Sequence, residues 1–332
     1  MSAWDGPIFR KREELPGAAR LEAQGLAWLA EPMSDGGALV VPTRTGDGWL
    51  EEPRLPQTAV TAQAAEDFGR ALAVTHAAGA PAFGAAPPGW DGRTQMGRCN
   101  IRLRPHQAGQ PGQVEEPEQV GQTGQAGEPG QAGQAEGRSW GEFYAADRVG
   151  CYIGPARDRG VLSPAQARLL ERVCERLAAG DFSSPQPALV EQQAVGTAVA
   201  RTHGDLWCGN VLWVPATAVS AWAPARAGQG PGPGQAAPSP PEPVTGGRHG
   251  VVGVLIDPLA HGAHAETDLA ALGVFGHPHL GRIMAAYHEV SPLAEGWPER
   301  AALHQLHLVM IHVHLFGGGY ALQAADIARR YV

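Results

Sequence analysis

The chain has 332 residues, enough for two lobes with separate cores, and its 43% hydrophobic and 17% charged content suits a soluble globular protein. A net charge of −8 with no basic stripe argues against nucleic acid and anionic membrane surfaces as partners. No apolar run reaches the ~18 residues of a membrane helix, and four scattered cysteines without a secretory signal fit a reduced, cytoplasmic chain.

From the N-terminus, Pro7 to Arg12 reads as an extended stretch, followed by a helix from about Gly17 to Leu29 with Leu21, Leu26 and Leu29 on one side. "ALVVP" and "GWLEE" read as two strands around a turn at "RTGDG". A long helix is expected from Thr58 to Ala77, with Thr58 as its start. Gln107 to Arg138 is a Gly-Gln repeat with almost nothing apolar, and Pro215 to Gly250 is rich in Pro, Gly, Ala and Ser. Both (107–138 and 215–250) are expected to be flexible surface insertions, because neither buries enough apolar surface to offset backbone entropy. Between them lie helices near Trp140–Arg148 and Ser163–Ala178, the second with Ser163 as cap and Pro164 at the first helical position. Strands follow at Val211–Val214 and Val251–Ile256, and everything beyond Glu266 reads helical, with breaks near Pro292 and Gly317–Gly319.

The segment "RTHGDLWCGNVLW", Arg201 to Trp213, holds His203, Asp205 and Asn210 in the spacing H-x-D-L-x-x-x-N, that of a kinase catalytic loop. The apolar run "VVGVLIDP" drives a second carboxylate, Asp257, to the end of a buried strand. If the two strands pair as a hairpin, Asp205, Asn210 and Asp257 surround one mouth. Phosphoryl transfer from ATP needs this set: Asp205 to accept the substrate hydroxyl proton, Asn210 and Asp257 to hold Mg2+ against the phosphates. Upstream, the 25 basic residues include one lysine, Lys11, so 24 are arginine; a coding bias of that kind leaves lysine where guanidinium cannot replace it. Glu22, eleven residues later in the first helix, is the partner such a lysine requires.

"THGDLWCGNVLW" followed by "LIDPLAHGAHAETDLAAL" resembles the fructosamine kinase family, within the aminoglycoside-phosphotransferase-like branch of the kinase fold. "EAQGLAWL", "FGAAPPGWDG", "WGEFYAADR" and "PLAEGWPERAALHQLHLVMIHVHLFGGGY" extend the likeness over nearly the whole chain outside the two insertions. The resemblance implies a two-lobed protein-kinase-like α+β fold: a truncated, β-rich N-lobe over residues 1–52 and a hinge with a mainly helical C-lobe over 53–332. It also implies ATP- and Mg2+-dependent phosphorylation of a ketosamine sugar on its 3-hydroxyl, after which the adduct leaves the amine, so that glycated amines and protein lysines are repaired. A monomer is expected.

The sequence also departs from the family. Only ten residues precede Lys11, so the usual first two strands and Gly-rich loop are missing; either the N-lobe is short or the start lies upstream. "AHAE" has Ala265 where the family has arginine, which puts a contact near Asp257 in doubt. Pro53 has no N–H to offer adenine, so that contact falls to Arg54 or Leu55. Trp207, Trp140, Tyr144 and Trp297 are candidates for the substrate pocket by analogy, with core packing the alternative for the last three.

The other histidines (His261, His264, His304, His307, His312 and His314) are read as core or pocket residues rather than a zinc site, and Cys208 as a thiol near the nucleotide. Glu266 and Asp268 are read as charges facing a helix N-terminus, and His203 as a buried support of its loop. Two other functions stay open: phosphorylation of an aminoglycoside, choline or similar amine, and a pseudokinase-like binding or scaffold protein. An intact Asp205, Asn210 and Asp257 set favours an enzyme over the scaffold.

Overall fold

The computed structural model describes residues 6–91, 94–96, 99–103, 138–224 and 250–332. Strand β1, Ile8–Arg12, is followed by helix α1, Ala18–Ala30, which buries Leu21, Leu26, Trp28 and Leu29. Next come β2 (Leu39–Val40), β3 (Arg44–Gly46) and β4 (Trp49–Pro53). The antiparallel sheet β1-β4-β3 has Lys11 opposite Leu50 and Phe9 opposite Glu52. The hairpin partner of β4 is therefore β3, whereas the sequence suggested "ALVVP". Leu39 and Val40 instead run parallel to Val254 and Leu255, a strand more than two hundred residues away. Val40 is 2% exposed, and that burial draws the segment onto the larger core and out of the small sheet. This part of residues 1–52 thus pairs with the helical portion of the chain.

Helix α2, Ala62–Ala77, begins at Thr61 rather than Thr58, because the Thr61 side chain accepts the Ala64 N–H at 3.1 Å. It packs against the later helix Leu280–Val290 where Gly69 lacks a side chain: a Cβ there would stand 2.3 Å from the Ile283 carbonyl oxygen. A short hairpin, β5 (Thr94–Met96) and β6 (Cys99–Ile101), follows. The first expected insertion lies outside the described residues, except for Arg138. Ser139 and Glu142 form a capping box that opens α3, Trp140–Phe143. The helix widens to π geometry over Tyr144–Gly150 and continues as α4, Cys151–Asp158. The sequence reading ends this helix near Arg148, but Tyr152, Ile153 and Ala156 bury on the core, and that packing carries it ten residues further despite Pro155.

Helix α5, Pro164–Ala178, has the expected Ser163 cap and buries Ala167, Leu170, Val173 and Leu177 at helical spacing. Helix α6 (Ala188–Gln193) and strand β7 (Ala200–Thr202) lead into β8, Val211–Pro215. Strand β9, Val251–Leu255, pairs antiparallel with β8, Val211 opposite Leu255, as the sequence suggested. The described chain continues from β8 through a turn to Pro224, with Val219 3% exposed, so this first part of the second expected insertion packs on the fold; 225–249 lie outside the described residues. Strand β10, His261–Ala263, pairs with β7, a two-stranded ribbon too short for alternation to reveal. The remainder is helical: α7 (Ala265–Ala271), α8 (Leu280–Val290), α9 (Trp297–Phe316) and α10 (Gly319–Ala328).

Candidate active site

Between β7 and β8 the chain makes a tight loop that depends on Gly204. Its φ is +80°, and a Cβ would stand 2.1 Å from the Leu259 carbonyl oxygen, so no other residue fits. His203 Nε2 lies 2.8 Å from the Ile256 carbonyl, while its Nδ1 accepts the Asp205 N–H at 3.3 Å. One nitrogen therefore donates and the other accepts, and burial lowers the pKa of the ring and keeps it neutral. His203 supports the loop, as expected from the sequence.

The strongest anchor of the loop comes from α7. Asp268, 1% exposed, accepts the backbone N–H of His203 at 2.5 Å and of Gly204 at 2.9 Å. His76 Nε2 adds a contact at 3.2 Å, and His76 Nδ1 reaches the Tyr287 hydroxyl at 2.9 Å. Burial alone would raise the Asp268 pKa, but His76, His203 and the Gly204 N–H outweigh it and hold the carboxyl below its usual value. Sequence reasoning gave Asp268 only a helix N-terminus.

The geometry brings Asp205, Asn210 and Asp257 together. Asn210 Nδ2 lies 2.8 Å from the Asp205 carbonyl, 3.0 Å from Asp205 Oδ2 and 3.5 Å from the Asp257 carbonyl. Burial pushes the Asp205 carboxyl up to about 7; the Asn210 hydrogen bond opposes this and Asp268 reinforces it. A carboxyl so poised exchanges protons near neutral pH. Asp257 follows β9 with φ +53°, a left-handed conformation that non-glycine residues rarely adopt, and its side chain is 43% exposed.

Lys11 reaches this mouth from β1. Its Nζ lies 2.7 Å from Glu22 Oε1 on α1 and also contacts Asp257 Oδ1 and, at 3.8 Å, Glu52 Oε2. The pairing expected between Lys11 and Glu22 is therefore present. Glu52 was not anticipated: it sits two residues along β4 from Leu50, the residue opposite Lys11, and so shares the inner face of the sheet. Its carboxyl is pushed up by burial, against the opposing charge of Lys11 and with reinforcement from Glu22. Glu51 points the other way, to Arg10. Strand alternation, once registered to Lys11, could have singled out Glu52.

Two groups of sequence candidates need correction. The Arg54 N–H donates to the Pro7 carbonyl at 2.8 Å, so it is committed to the sheet and not free for a purine; half-buried Leu55 is left as the hinge candidate. Trp140 and Tyr144 are 6% and 1% exposed and belong to the core. Trp140 stacks on His304 at 4.5 Å and on Tyr144 at 5.0 Å. The Tyr144 hydroxyl lies 2.7 Å from the His304 carbonyl and accepts the His307 N–H at 3.0 Å. Trp207 remains half-buried beside Asp205, its ring edge-on to Phe275, and Trp297 is half-buried at the start of α9. Cys208 is half-buried in the turn before Asn210.

Glu266 and His304 form a buried cluster with Arg300, which bonds both Glu266 oxygens at 2.6 and 3.0 Å. Burial would raise the Glu266 pKa, but His304 and Arg300 lower it to about 2. Ala265 is fully buried; the guanidinium in this cluster comes from Arg300.

A family model described as fructosamine kinase matches residues 124–332. A solved structure from Thermobifida fusca, described as a "putative fructosamine-3-kinase", is 34% identical with a TM-score of 0.66, over 98% of this chain and 85% of that one. A second, from Haemophilus somnus and described in the same words, is 16% identical with a TM-score of 0.60 and shares the fold. A "probable ketoamine kinase" of Synechocystis is 29% identical over 192 residues, 58% of this chain and 48% of that protein. The chain thus spans about half the length of the curated relatives it matches. The small sheet and the helical remainder form the two-lobed protein-kinase-like α+β architecture. No helix among the described residues is long and apolar enough to cross a membrane.

Proposed function

This chain belongs to the fructosamine kinase family, and on that premise we propose that it transfers a phosphoryl group from ATP to a sugar hydroxyl of a ketosamine. The observation that carries the proposal is the junction of Asp205, Asn210 and Asp257 with the Lys11–Glu22 pair. Asp205 accepts the hydroxyl proton as the new oxygen–phosphorus bond forms and the bond to the leaving ADP breaks. Asn210 holds Asp205 in place through Nδ2, so its Oδ1 and the half-exposed Asp257 carboxylate are the oxygens that the two side chains could offer a ligand. Those two oxygens fit a hard cation, and Asp257 and Asn210 would hold Mg2+. When bound, the cation neutralises charge on the phosphates. Lys11 pairs with the phosphates while Glu22 orients it, and the Leu55 backbone meets the adenine.

The 3-hydroxyl is the acceptor we favour, supported by the resemblance in "THGDLWCGNVLW" and by the descriptions of the solved relatives. A phosphate there becomes a leaving group near the sugar carbonyl, so the adduct breaks down and frees the amine, which gives the reaction a role in repair of glycated amines. Trp207 and Trp297 are the wall candidates left for the acceptor pocket. The test is ADP release with Mg2+ across ketosamines, free sugars, aminoglycosides and choline, with phosphorus NMR of the product. Turnover with a ketosamine and a phosphate on C3 supports the reading. Turnover only with aminoglycosides or choline overturns the acceptor, and absence of nucleotide binding favours a scaffold.

A further inference from the structure

We propose that Arg201 is a positioning residue: it ties the C-terminal end of α1, and with it the Glu22–Lys11 pair, to the strand that enters the catalytic loop. Arg201 lies on β7, two residues before His203, and its side chain is 9% exposed. Its guanidinium has five N–H donors to satisfy, and their partners come from two helix ends. On the α1 side, Nη1 donates to the Trp28 carbonyl at 2.7 Å and to Glu31 Oε2 at 2.7 Å. The guanidinium also lies over the Trp28 ring, 4.8 Å from its centre. On the α2 side, Nε donates to the Gly79 carbonyl at 3.1 Å and Nη2 to the Ala78 carbonyl at 3.3 Å. Carbonyls at a helix C-terminus are short of intrahelical donors and carry the negative end of the dipole, so one buried cation meets both needs.

Among the described residues, packing does not duplicate this link on that side. A cavity of about 410 Å³ opens beside the guanidinium, lined in part by Trp28, Ala78, Val190 and Val195, and separates the ends of α1, α2 and α6. Glu22 stands six residues before Trp28, about 9 Å along the helix. A shift of the C-terminal end of α1 therefore moves Glu22 against Lys11, whose Nζ it meets at 2.7 Å. The catalytic loop is held separately, by Asp268 on the His203 and Gly204 amides. Arg201 thus acts on the phosphate-binding pair and not on the base. Lysine cannot take the role, because its ammonium is a point donor and the acceptors here lie around the edge of a planar fork. The inference rests on the proposed transfer from ATP, since it assigns Glu22 and Lys11 to the nucleotide.

The experiment sets Arg201→Gln and Arg201→Lys beside wild type, with a thermal melt of each and kinetics well below each Tm. In the nucleotide-free, full-length protein, amide hydrogen exchange over residues 22–31 is expected to quicken at least tenfold in Arg201→Gln, while residues 203–210 stay within about threefold. With Mg2+ and a ketosamine, kcat/KM for ATP should fall at least fivefold and KM for the ketosamine stay within about twofold. A cycle with Glu22→Gln reads the route: distant, independent sites multiply their effects, whereas adding Arg201→Gln to Glu22→Gln should cost less than a further twofold. Arg201→Lys carries the same arms should Arg201→Gln fail to fold. The proposal is overturned if exchange over 22–31 matches wild type, if KM for both substrates rises together, or if the two substitutions multiply. A wild-type protein that turns over no ATP sinks the proposed function instead, and hydrogen exchange still decides whether Arg201 holds α1.

Discussion

Replacing Asp268 by asparagine changes one oxygen to an NH2 and leaves the shape intact, so its effect isolates the anchoring of the catalytic loop. The carboxylate has two sets of donors to satisfy: His203 N and His76 Nε2 on Oδ2, and Gly204 N on Oδ1. An amide oxygen can replace only one of the two. In the better orientation it keeps His203 and His76, and the NH2 then faces the Gly204 N–H, donor against donor. Bonds to a charged acceptor contribute about 1.5–3 kcal/mol each, and an unpaired buried donor costs about 1–3 kcal/mol. The loss is therefore about 2–3 kcal/mol. At about 2.1 cal/mol/K of unfolding entropy per residue, a chain of 332 residues loses roughly 1.4 °C per kcal/mol, so Tm should fall by about 3–4 °C. The pH dependence carries a sign as well. Because the folded Asp268 pKa lies below its ordinary value, its contribution is full above the unfolded carboxylate pKa and fades as pH falls through the folded one. The gap in Tm between wild type and variant should be widest at pH 7 and close below about pH 4. Melts across that range, with kcat measured at pH 7, make the assay. A Tm within 1 °C of wild type at pH 7 would refute the anchoring argument.

For Asp205→Asn, ATP affinity should stay near wild type while kcat falls by roughly 10²-fold or more; an unchanged kcat sinks the general-base assignment. In the wild type, kcat/KM should rise with pH through about 7, because the base must be ionised and burial has raised its pKa. The same raised pKa means that stability linked to protonation of Asp205 is present at pH 4 and lost as pH rises through about 7. Asp205→Asn should therefore gain Tm relative to wild type progressively between about pH 4 and pH 7, with the larger gain at pH 8 than at pH 4; equal shifts at both would remove the burial explanation. Lys11→Arg should cut kcat/KM for ATP at least tenfold, since a planar fork cannot meet Glu22, Glu52 and Asp257 from the point where Nζ sits. Wild-type kinetics there would make Lys11 an ordinary cation. Gly204→Ala should lower Tm by several degrees or abolish soluble expression, because positive φ and the Leu259 carbonyl both exclude a side chain. A stable, active Gly204→Ala protein would mean that the loop is not held as described.

The parts of the site that could be read from the sequence are those whose constraints are local. Asp205 and Asn210 stand five residues apart on one loop, and Asp257 ends an apolar run that can only be a buried strand, so spacing and hydropathy sufficed. Lys11 and Glu22 were found by composition and by their separation on a strand and the helix after it. Asp268 was not, because its partners are backbone amides sixty-four and sixty-five residues upstream, and backbone groups leave no mark in a sequence. The commitment of Arg54 to Pro7 was hidden for the same reason, since any residue could supply that carbonyl.

Glu51 and Glu52 pose a harder case, because they are adjacent and chemically identical. The register of β1 against β4 alone turns Glu51 outward to Arg10 and Glu52 inward to Lys11. A slip of one residue would exchange them and face Glu51 into the cleft, leaving Glu52 on the opposite face of the strand, beside Arg10. What fixes the register is packing: Leu50 is fully buried and Trp49 lies under the Arg10 guanidinium, 4.8 Å from its ring centre. The identity of the third carboxylate around Lys11 is therefore decided by a leucine and a tryptophan that take no part in the chemistry.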